Sequence, residues 1–405
     1  MKILVINCGS SSVKYELFEM PEGKSLARGL VDRVGVRTSE PSTISIRTQE
    51  GKGSVREVQA RDHKQAVGLV LEALSTANGG VISSSRDIAA VGHRVVHGGE
   101  RFTASALINV EVISAVEACS ELAPLHNPPN LQGIMACDAL LPDCPQVAVF
   151  DTAFHSTMPS RAYLYAIPAP LRERYSLRRF GFHGTSHHYV HSAALVHLGY
   201  GEVAPPDLRV ITCHLGNGCS MCAIKGGKVL DTSMGFTPLE GLIMGTRSGD
   251  IDPAAVTFLQ EKEGLSPAEV AELLNRRSGL LGLSGRSSDM RDLLAAVDEG
   301  DQKASSAVEA FCYRARKYVG AYLAVLNGLD VLIFTAGIGE NSPQVRLGIC
   351  ADLDNLGIIL DAELNANAKG LAQISRPESP VKVLIVPTNE ELMIARETTR
   401  LVGRA

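Results

Sequence analysis

Two short turns of small residues have the composition of a phosphate-binding site. Residues 8–12 follow an apolar segment at the start of the chain, and residues 214–218 follow a second apolar segment near its middle. A small turn between two strands brings several backbone N–H groups to one point, which forms a nest for an anion such as phosphate. For the second turn alone, an ordinary Gly-Asn hairpin is an equal alternative. Because the pattern occurs twice, we expect two similar lobes with a nucleotide between them.

Charged side chains accompany these turns. Lys14 could reach a phosphate, or it is a solvated lysine at a strand edge. Arg94 falls in residues 92–100, which we predict to be a loop after a strand at residues 89–91, and Arg247 falls in the loop of residues 245–250. Open α/β sheets bind ligands beyond strand ends, whereas a surface salt bridge is the alternative for such an arginine. Asp151 follows a predicted strand and is a candidate for orienting an arginine.

His183 precedes an amphipathic segment that predicts a helix, with Thr185 or Ser186 as its cap. The positive end of a helix disfavours imidazolium, so a neutral His183 could donate a hydrogen bond to a phosphoryl oxygen. Taken alone, a histidine in this position is more often structural. Towards the end of the chain, Thr388 and Glu391 have the spacing of a capping box, which leaves Glu390 for chemistry.

The elements that must position these residues follow from periodicity. Residues 2–8 and 13–18 predict strands, the first buried on both faces, and residues 25–60 predict antiparallel strands. Residues 63–74 predict a helix that stops at residues 78–80. Another helix should start at residue 127, with Asn127 as its cap and Pro128 in its first turn. A long helix should end at Asn327. The strand at residues 331–335 precedes two close glycines, which we expect to form a turn, and then Pro343 at a helix start. This is a weak nucleotide-type arrangement.

Composition narrows the class of protein. A chain of 405 residues suggests roughly two or three domains. A net charge of −5 gives no basic field for nucleic acid, and no apolar run predicts a membrane span or a signal peptide. Nine scattered cysteines fit free thiols in a reducing cytosol. Cys219 and Cys222 lie three apart on a predicted strand and should point to opposite faces, which argues against a metal or redox pair.

Taken together, these segments resemble the acetokinase family of acetate, propionate and butyrate kinases. The matching segments are residues 6–14, 92–100, 181–187, 214–218, 235–241, 244–253, 337–341 and 388–394. The resemblance implies an α/β fold: a duplicated actin/hexokinase/Hsp70-like (ASKHA) two-lobe fold with nucleotide in the interlobe cleft. It also implies a cytoplasmic homodimer. Cys8, Cys219 and Cys222 depart from the residues that family members often carry, and we expect these changes to be neutral.

The resemblance implies an N-terminal lobe of residues 1–151, with the helix of residues 388–405 packing back on it, and a C-terminal nucleotide-binding lobe of residues 152–387. The implied activity is reversible, Mg²⁺-dependent transfer of the γ-phosphate of ATP to acetate, which gives acetyl phosphate and ADP, with Mn²⁺ as the alternative metal. A propionate kinase or another short-chain fatty acid kinase of the family is the alternative.

The resemblance also assigns residues to roles. Arg94 and Arg247 bind the carboxylate and the moving phosphoryl group, and His183 donates to the transition state. The family's acid/base is Asp151, but acetate is already ionised at pH 7 and needs no base, so we expect Asp151 to orient Arg94. The resemblance implies that Asn7 and Glu390 bind Mg²⁺, partly through water. The acetate pocket comprises Val96, Leu125, Phe182 and Pro238. The resemblance implies that the ATP phosphates are contacted by Lys14, His214, Leu215, Gly216, Asn217 and Gly218. It implies that adenosine is contacted by Asp289, Met290, Arg291, Gly337, Ile338, Gly339, Glu340 and Asn341.

Two other classes remain as alternatives on the same fold. One is a nucleotide-dependent binding or chaperone-type module without a small acceptor, against which Arg94, Arg247 and the apolar pocket argue. The other is a sugar kinase, which would need a base for the sugar hydroxyl and a larger polar pocket. An acceptor screen with ATP and Mg²⁺ separates all three.

Overall fold

The computed structural model describes residues 1–36, 40–51, 53–76, 80–124 and 126–403. The strands are β1 (Lys2–Cys8), β2 (Ser12–Glu19), β3 (Lys24–Asp32), β4 (Ser42–Thr48), β5 (Gly53–Val58), β6 (Ile88–Val95), β7 (Ala106–Leu107), β8 (Gln146–Phe150), β9 (Arg209–Leu215), β10 (Cys219–Lys225), β11 (Lys228–Thr232), β12 (Val331–Thr335), β13 (Ala372–Gln373) and β14 (Lys382–Ile385).

The helices are α1 (His63–Leu74), α2 (Val110–Ala118), α3 (Asn127–Leu140), α4 (Ser160–Tyr163), α5 (Ala169–Tyr175), α6 (Gly184–His197), α7 (Pro253–Glu263), α8 (Pro267–Arg276), α9 (Gly279–Ser284), α10 (Met290–Asp298), α11 (Gln302–Leu326), α12 (Ala336–Asn341), α13 (Pro343–Cys350), α14 (Ala362–Asn367) and α15 (Glu390–Val402). Short 3₁₀ helices occupy Ser85–Asp87, Ala153–Thr157 and Asp354–Leu356. The chain divides into two compact units, one of Met1–Ser156 with Asn389–Ala405 and one of Thr157–Thr388.

The first unit contains an eight-stranded sheet with the order β5-β4-β3-β2-β1-β6-β8-β7. Strands β1, β6 and β8 are parallel, while β1 to β5 form an antiparallel meander. Leu4, Leu17, Val67 and Val70 belong to one buried core that includes residues of β1, β2 and α1. Helix α15 approaches β6 at Gly92, where an added Cβ would lie 2.4 Å from Thr398 Oγ1, so only glycine fits there without a shift.

The second unit repeats this arrangement in a six-stranded sheet with the order β11-β10-β9-β12-β14-β13. A three-stranded antiparallel meander, equivalent to β1 to β3 of the first unit, is followed by two parallel strands, and a short antiparallel strand closes the far edge. The order β3-β2-β1-β6-β8 therefore corresponds to β11-β10-β9-β12-β14. This duplication confirms the two-lobe fold that the two small turns predict.

Most predicted elements are confirmed. Strand β1 is buried on both faces over most of its length, α1 spans the predicted residues, and α13 begins at Pro343. Helix α11 ends at Leu326, with Asn327 in the left-handed conformation as its C-cap. Part of the predicted stop at residues 78–80 lies outside the described residues.

Three predictions of local structure are wrong. Strand β6 does not end at residue 91 but runs to Val95, because it pairs with β1 on one side and β8 on the other. Arg94 is therefore a strand residue, paired with Val149. Helix α3 has His126 and not Asn127 as its N-cap, although prolines do fill its first turn. The predicted glycine turn after β12 is the short helix α12, which begins at Ala336.

Two general expectations can also be compared with the described residues. Within them, no helix combines the length and the apolar character needed to cross a membrane. All nine cysteines are free, and both Cys219 and Cys222 are fully buried, so the expectation of free thiols is confirmed.

Candidate functional site

In the first unit, an arginine and two carboxylates form a cluster at the carboxyl ends of strands β6 and β8. Arg94 donates from Nε and from a terminal nitrogen to the same oxygen, Asp151 Oδ2, at 3.1 and 2.7 Å. Asp151 follows β8 directly, and its side chain is only 1% exposed. Glu390, the first residue of α15, places Oε2 3.9 Å from Arg94 Nε. Neighbouring parallel strands and the start of one helix thus bring the three side chains together.

Burial and charge act against each other in this cluster. Burial lowers the pKa of Arg94, but Asp151 and Glu390 raise it by more, so its net direction is upward and the guanidinium stays charged. Burial raises the pKa of Glu390 to about 7, while Arg94 and Lys14 favour its ionised form. Arg94 is held by an anionic partner before any substrate arrives.

Other predicted residues of the first unit lie on β1, on β2 and directly after β6. Asn7 and Lys14 are direct cross-strand partners on β1 and β2, so their side chains share one face. Lys14 lines a cavity of about 770 Å³ together with Glu391. Val96 is buried, and its backbone N–H donates to Asn130 Oδ1 of α3 at 3.1 Å.

Asn127 and Asn130, which sequence reasoning did not assign to the site, fix the segment after β6. Asn127 Oδ1 accepts from the N–H of His97 at 3.1 Å, and its Nδ2 donates to the carbonyl of His97 at 3.0 Å. Asn130 Nδ2 donates to the carbonyl of Cys8 at 2.8 Å. The Asn-Pro-Pro-Asn sequence at the start of α3 was the available signal. Leu125 lies outside the described residues.

In the second unit, His183, His214 and Arg247 converge on the turn between β9 and β10. An added Cβ at Gly218 would lie 3.4 Å from His183 Nε2 and 3.6 Å from a terminal nitrogen of Arg247. The rings of His183 and His214 stack with centroids 4.2 Å apart. The turn of residues 216–218 matches the turn of residues 9–11 in the first unit, as the repeated composition predicts.

Arg247 is held by neutral groups. Its terminal nitrogen donates to the carbonyl of Pro238 at 3.2 Å and lies 3.8 Å from Met244 Sδ. In the described part of the chain it makes no ion pair, and burial lowers its pKa below the usual value. A buried cation without a carboxylate partner provides attraction for an incoming anion.

His183 occupies the N-cap position of α6 in the left-handed conformation, with φ of 55°, and no side chain caps the helix. The prediction that Thr185 or Ser186 is the cap is wrong, because both residues lie inside the first turn. Ser186 instead bonds to His214 Nδ1 at 2.8 Å. A bulky residue with positive φ is strained and persists only where its surroundings fix it.

Arg179, which sequence reasoning did not assign to the site, makes several contacts that hold the backbone around Pro238. Arg179 donates to the carbonyls of Thr232, Ser233 and Met234, each at 3.1 Å. Its other terminal nitrogen pairs with Glu240. Because these partners lie more than fifty residues beyond Arg179 in the chain, only the folded structure shows these contacts.

A separate cavity of about 620 Å³ lies beyond the β9–β10 turn in the second unit. It is lined by Gly216, Asn217, Ser288, Asp289, Met290, Arg291, Gly337, Ile338, Asn341 and Ser342. Eight of these ten are residues predicted to contact the nucleotide; Ser288 and Ser342 were missed, although each adjoins a predicted residue in the chain. At Gly337 an added Cβ would meet nothing within 4 Å, so this position opens into free space.

Three other predicted residues contribute differently. Leu215 is the buried last residue of β9. Glu340 Oε1 accepts from the N–H of Ala336 at 2.8 Å and from the N–H of Thr388 at 3.1 Å, so its carboxylate joins the start of α12 to the segment after β14. Gly339 packs on the backbone of Phe334 at the end of β12.

The capping box predicted for Thr388 and Glu391 is also wrong. Asn389 is the N-cap of α15, and its Oδ1 accepts from the N–H of Leu392 at 2.9 Å. Thr388 is engaged elsewhere, since its hydroxyl lies 2.8 Å from Ser186 Oγ. Glu390 and Glu391 are both in the first turn, where carboxylates complement the helix dipole.

Comparisons with known proteins agree with this geometry. A model described as the acetokinase family matches residues 2–396. The chain is 54% identical over 402 residues to an acetate kinase from Carboxydothermus hydrogenoformans, with 99% of each chain covered. It resembles the crystal structure of Porphyromonas gingivalis acetate kinase with a TM-score of 0.93 at 49% identity, with 99% of each chain covered. It also resembles a propionate kinase from Francisella tularensis, with a TM-score of 0.90 at 41% identity over 98% of this chain and 99% of that one.

Proposed function

Because the chain belongs to the acetokinase family, we propose that it transfers the γ-phosphate of ATP reversibly to acetate, giving acetyl phosphate and ADP. The observation that carries this proposal is the pair of differently held arginines, Arg94 and Arg247, each beside residues of the family's motifs. An anionic acceptor approaching a polyanionic phosphate needs cations, which these two residues supply. The alternatives of a chaperone-type module and a sugar kinase have no such support.

In this proposal, a carboxylate oxygen of acetate attacks the γ-phosphorus of ATP. The bond from that phosphorus to the β–γ bridging oxygen breaks, and ADP leaves with the electron pair. No proton moves in the forward direction, since the carboxylate is ionised at neutral pH. Arg94 and Arg247 bind the carboxylate and the moving phosphoryl group, and His183 donates to the phosphoryl oxygens. Both arginines act by position and charge.

Asp151 has the role of orienting Arg94 and not that of a base. Its Oδ2 accepts from two nitrogens of Arg94, which fixes the plane of the guanidinium. The ionised carboxylate of acetate carries no proton for a base to remove. An aspartate this deeply buried beside a cation is also poorly placed to act as a base.

The family's divalent metal fits the oxygen donors of the first unit. Asn7 and Glu390 offer an amide oxygen and a carboxylate, the hard ligands that Mg²⁺ prefers, and Mg²⁺ usually keeps several waters. Among the described residues, no group of three or more His, Cys, Asp or Glu side chains could hold a metal ion. The ion would neutralise charge on the ATP phosphates, and Mn²⁺ is its alternative.

The nucleotide is assigned to the second unit. The cavity beside Gly337 and Arg291 takes adenosine, and the turn of residues 216–218 faces the phosphates through its backbone. The acetate methyl group is assigned to Val96, Leu125, Phe182 and Pro238. Assembly as a homodimer belongs to the same proposal and is checked by the mass of the purified protein in solution.

An acceptor screen tests the function. Purified protein with ATP and Mg²⁺ is given acetate, propionate, butyrate or glucose, and acyl phosphate is trapped as hydroxamate. We expect acetate to have the highest kcat/KM. A higher value for propionate would favour the propionate kinase alternative, and phosphorylation of glucose without hydroxamate would contradict the proposal.

A further inference from the structure

A row of buried side chains leads from the interior of the second unit to His183. Thr212 Oγ1 on β9 lies 2.7 Å from His187 Nδ1. His187 Nε2 lies 2.8 Å from Ser220 Oγ on β10, and Ser220 Oγ lies 2.9 Å from His183 Nδ1. Thr212, His187 and Ser220 are each fully buried. Two strands and helix α6 therefore contribute one continuous hydrogen-bonded row.

A second row leads to His214. Thr388 Oγ1 lies 2.8 Å from Ser186 Oγ, which lies 2.8 Å from His214 Nδ1. Each row meets its histidine at Nδ1, and each meets it through a serine hydroxyl. The two imidazoles that stack on each other are thus held from behind in the same way.

The serine hydroxyl limits how these bonds are directed. Ser220 has one proton and contacts two imidazole nitrogens, so at most one of those nitrogens accepts from it. If Ser220 donates to His183 Nδ1, then His187 Nε2–H donates to Ser220, and Thr212 donates to His187 Nδ1. In that direction every donor in the row has an acceptor. A neutral His183 then carries its proton on Nε2.

The other ring nitrogens, Nε2 of His183 and Nε2 of His214, face the turn of residues 216–218. An added Cβ at Gly218 would lie 3.4 Å from His183 Nε2, and one at Gly216 would lie 3.9 Å from His214 Nε2. Phosphoryl oxygens of ATP accept hydrogen bonds, so a nitrogen that faces them must carry a proton to bond with them. The other tautomer of His183 would present a lone pair to the phosphate.

We propose that Thr212, His187 and Ser220 are positioning residues that keep His183 as the neutral Nε2–H tautomer, aimed at the phosphoryl group. Thr388 and Ser186 do the same for His214. The residues of the two rows transfer no proton to the substrate and form no covalent bond with it. Their hydrogen bonds fix which ring nitrogen of His183 or His214 bears the hydrogen. The identity of the acceptor rests on the proposed function, whereas the tautomer is a property of the protein alone.

The far end of the first row supplies a matched pair of variants. Thr212→Val keeps the shape of the side chain but removes the hydroxyl, and Thr212→Ser keeps the hydroxyl but removes a methyl group. We expect Thr212→Val to lower kcat about 5- to 10-fold, the equivalent of one neutral hydrogen bond, with unchanged KM for acetate and ATP. Thr212→Ser should stay near wild type. If Thr212 only fills space, the order is reversed, and a Thr212→Val rate equal to or above that of Thr212→Ser overturns the proposal.

The tautomer is measured directly by nitrogen NMR of protein labelled with ¹⁵N-histidine, without substrate. The His183 ring signals are identified by their loss in His183→Gln. We expect a protonated Nε2 and a bare Nδ1, and we expect Thr212→Val and Ser220→Ala to give a mixture of tautomers. A wild-type His183 with its proton on Nδ1 overturns the proposal. If the wild type shows the expected tautomer but phosphorylates no carboxylate, the proposed function fails and the positioning role stands. If the enzyme phosphorylates acetate and Thr212→Val leaves its rate unchanged, the positioning role fails and the proposed function stands.

Discussion

Arg94 and Arg247 have the same side chain and opposite surroundings. Arg94 of the first unit is held by the carboxylate of Asp151 with Glu390 nearby, and its pKa is raised. Arg247 of the second unit is held by a carbonyl and a thioether, and burial lowers its pKa. Both arginines are assigned to the same reaction. Among the described residues, the first unit therefore carries an arginine compensated by a carboxylate and the second unit carries one held by neutral groups.

The difference separates two tasks. A guanidinium fixed by a buried carboxylate has a defined orientation but loses much of its net charge to its partner. A guanidinium held by neutral acceptors is less firmly fixed but keeps its field for an incoming anion. We infer that Arg94 mainly aligns the acceptor and that Arg247 mainly stabilises the charge that develops on the phosphoryl group.

Removing Arg247 should have the largest effect. Arg247→Ala should lower kcat by about 100- to 1000-fold, as for loss of one preorganised donor, without lowering the melting temperature, because no buried carboxylate in the described residues is left unpaired. The measurement is the hydroxamate assay together with thermal unfolding. Arg376→Ala, which removes an exposed arginine paired with Glu378, is the control. A near wild-type rate for Arg247→Ala with an unchanged circular dichroism spectrum would contradict the assignment.

Removing Arg94 should also lower turnover by orders of magnitude, though by no more than Arg247→Ala, and with a cost in stability that Arg247→Ala lacks. Arg94→Ala removes the guanidinium that pairs with the buried carboxylate of Asp151, and the free energy of unfolding in urea should fall by about 3 kcal/mol. The double variant Arg94→Ala/Asp151→Asn should regain part of that loss and stay inactive. Equal urea midpoints for Arg94→Ala and the wild type would show that the pair does not hold the first unit together.

The two adjacent glutamates of α15 test the metal assignment in the first unit. Glu390→Ala should raise the Mg²⁺ concentration for half-maximal activity about tenfold, the equivalent of one charge-assisted contact. Glu391→Ala should change it little. Asn389→Ala removes the observed cap and should cost about 1 kcal/mol of stability without affecting the metal. A greater Mg²⁺ requirement in Glu391→Ala than in Glu390→Ala would reverse the two assignments.

Gly337 tests the assignment of the nucleotide to the second unit. Gly337→Gln places a side chain in the cavity beside Asn217 and Arg291, so the KM for ATP should rise several-fold while the KM for acetate stays unchanged. Gly320→Gln, on α11 and also in open space, is the matched control. A loss of acetate affinity with intact ATP affinity would show that the two units have the reverse assignments.

Val96 tests the acetate pocket in the first unit, as Gly337 tests the nucleotide cavity in the second. Its substitution should give the smallest effect. Val96→Ala makes room for about one methylene group, worth roughly 0.8 kcal/mol. The ratio of kcat/KM for propionate to that for acetate should therefore rise about fourfold, with no change in the KM for ATP. An unchanged ratio would place the acetate methyl group away from Val96.

The parts of the fold that depend on neighbouring residues could be predicted from the sequence. The turns of residues 9–11 and 216–218 have a composition that favours them, and α1 follows from its apolar periodicity. The grouping of residues 289–291 with Gly337, Ile338 and Asn341 around one cavity follows from the family resemblance. In these cases, residue type and spacing are sufficient because the contacts are local or belong to recognisable motifs.

The errors come from partners that are distant in the chain. Thr388 does not cap α15, because its hydroxyl contacts Ser186 and its N–H is taken by Glu340. Arg94 is in a strand and not a loop because β8, more than fifty residues later, extends the pairing of β6. Nothing in the local sequence around Arg94 or Thr388 carries this information. The rows behind His183 and His214 likewise join three separate elements.

The close packing of α15 against Gly92 has a consequence for the order in which the protein assembles on the ribosome. The first unit contains β1 to β8 and also α15, so α15 can pack on this sheet only after residues 389–403 have been made. The second unit is one continuous segment and has all its residues earlier. Although domains usually fold in the order of their synthesis, here the half that starts first is the half that finishes last.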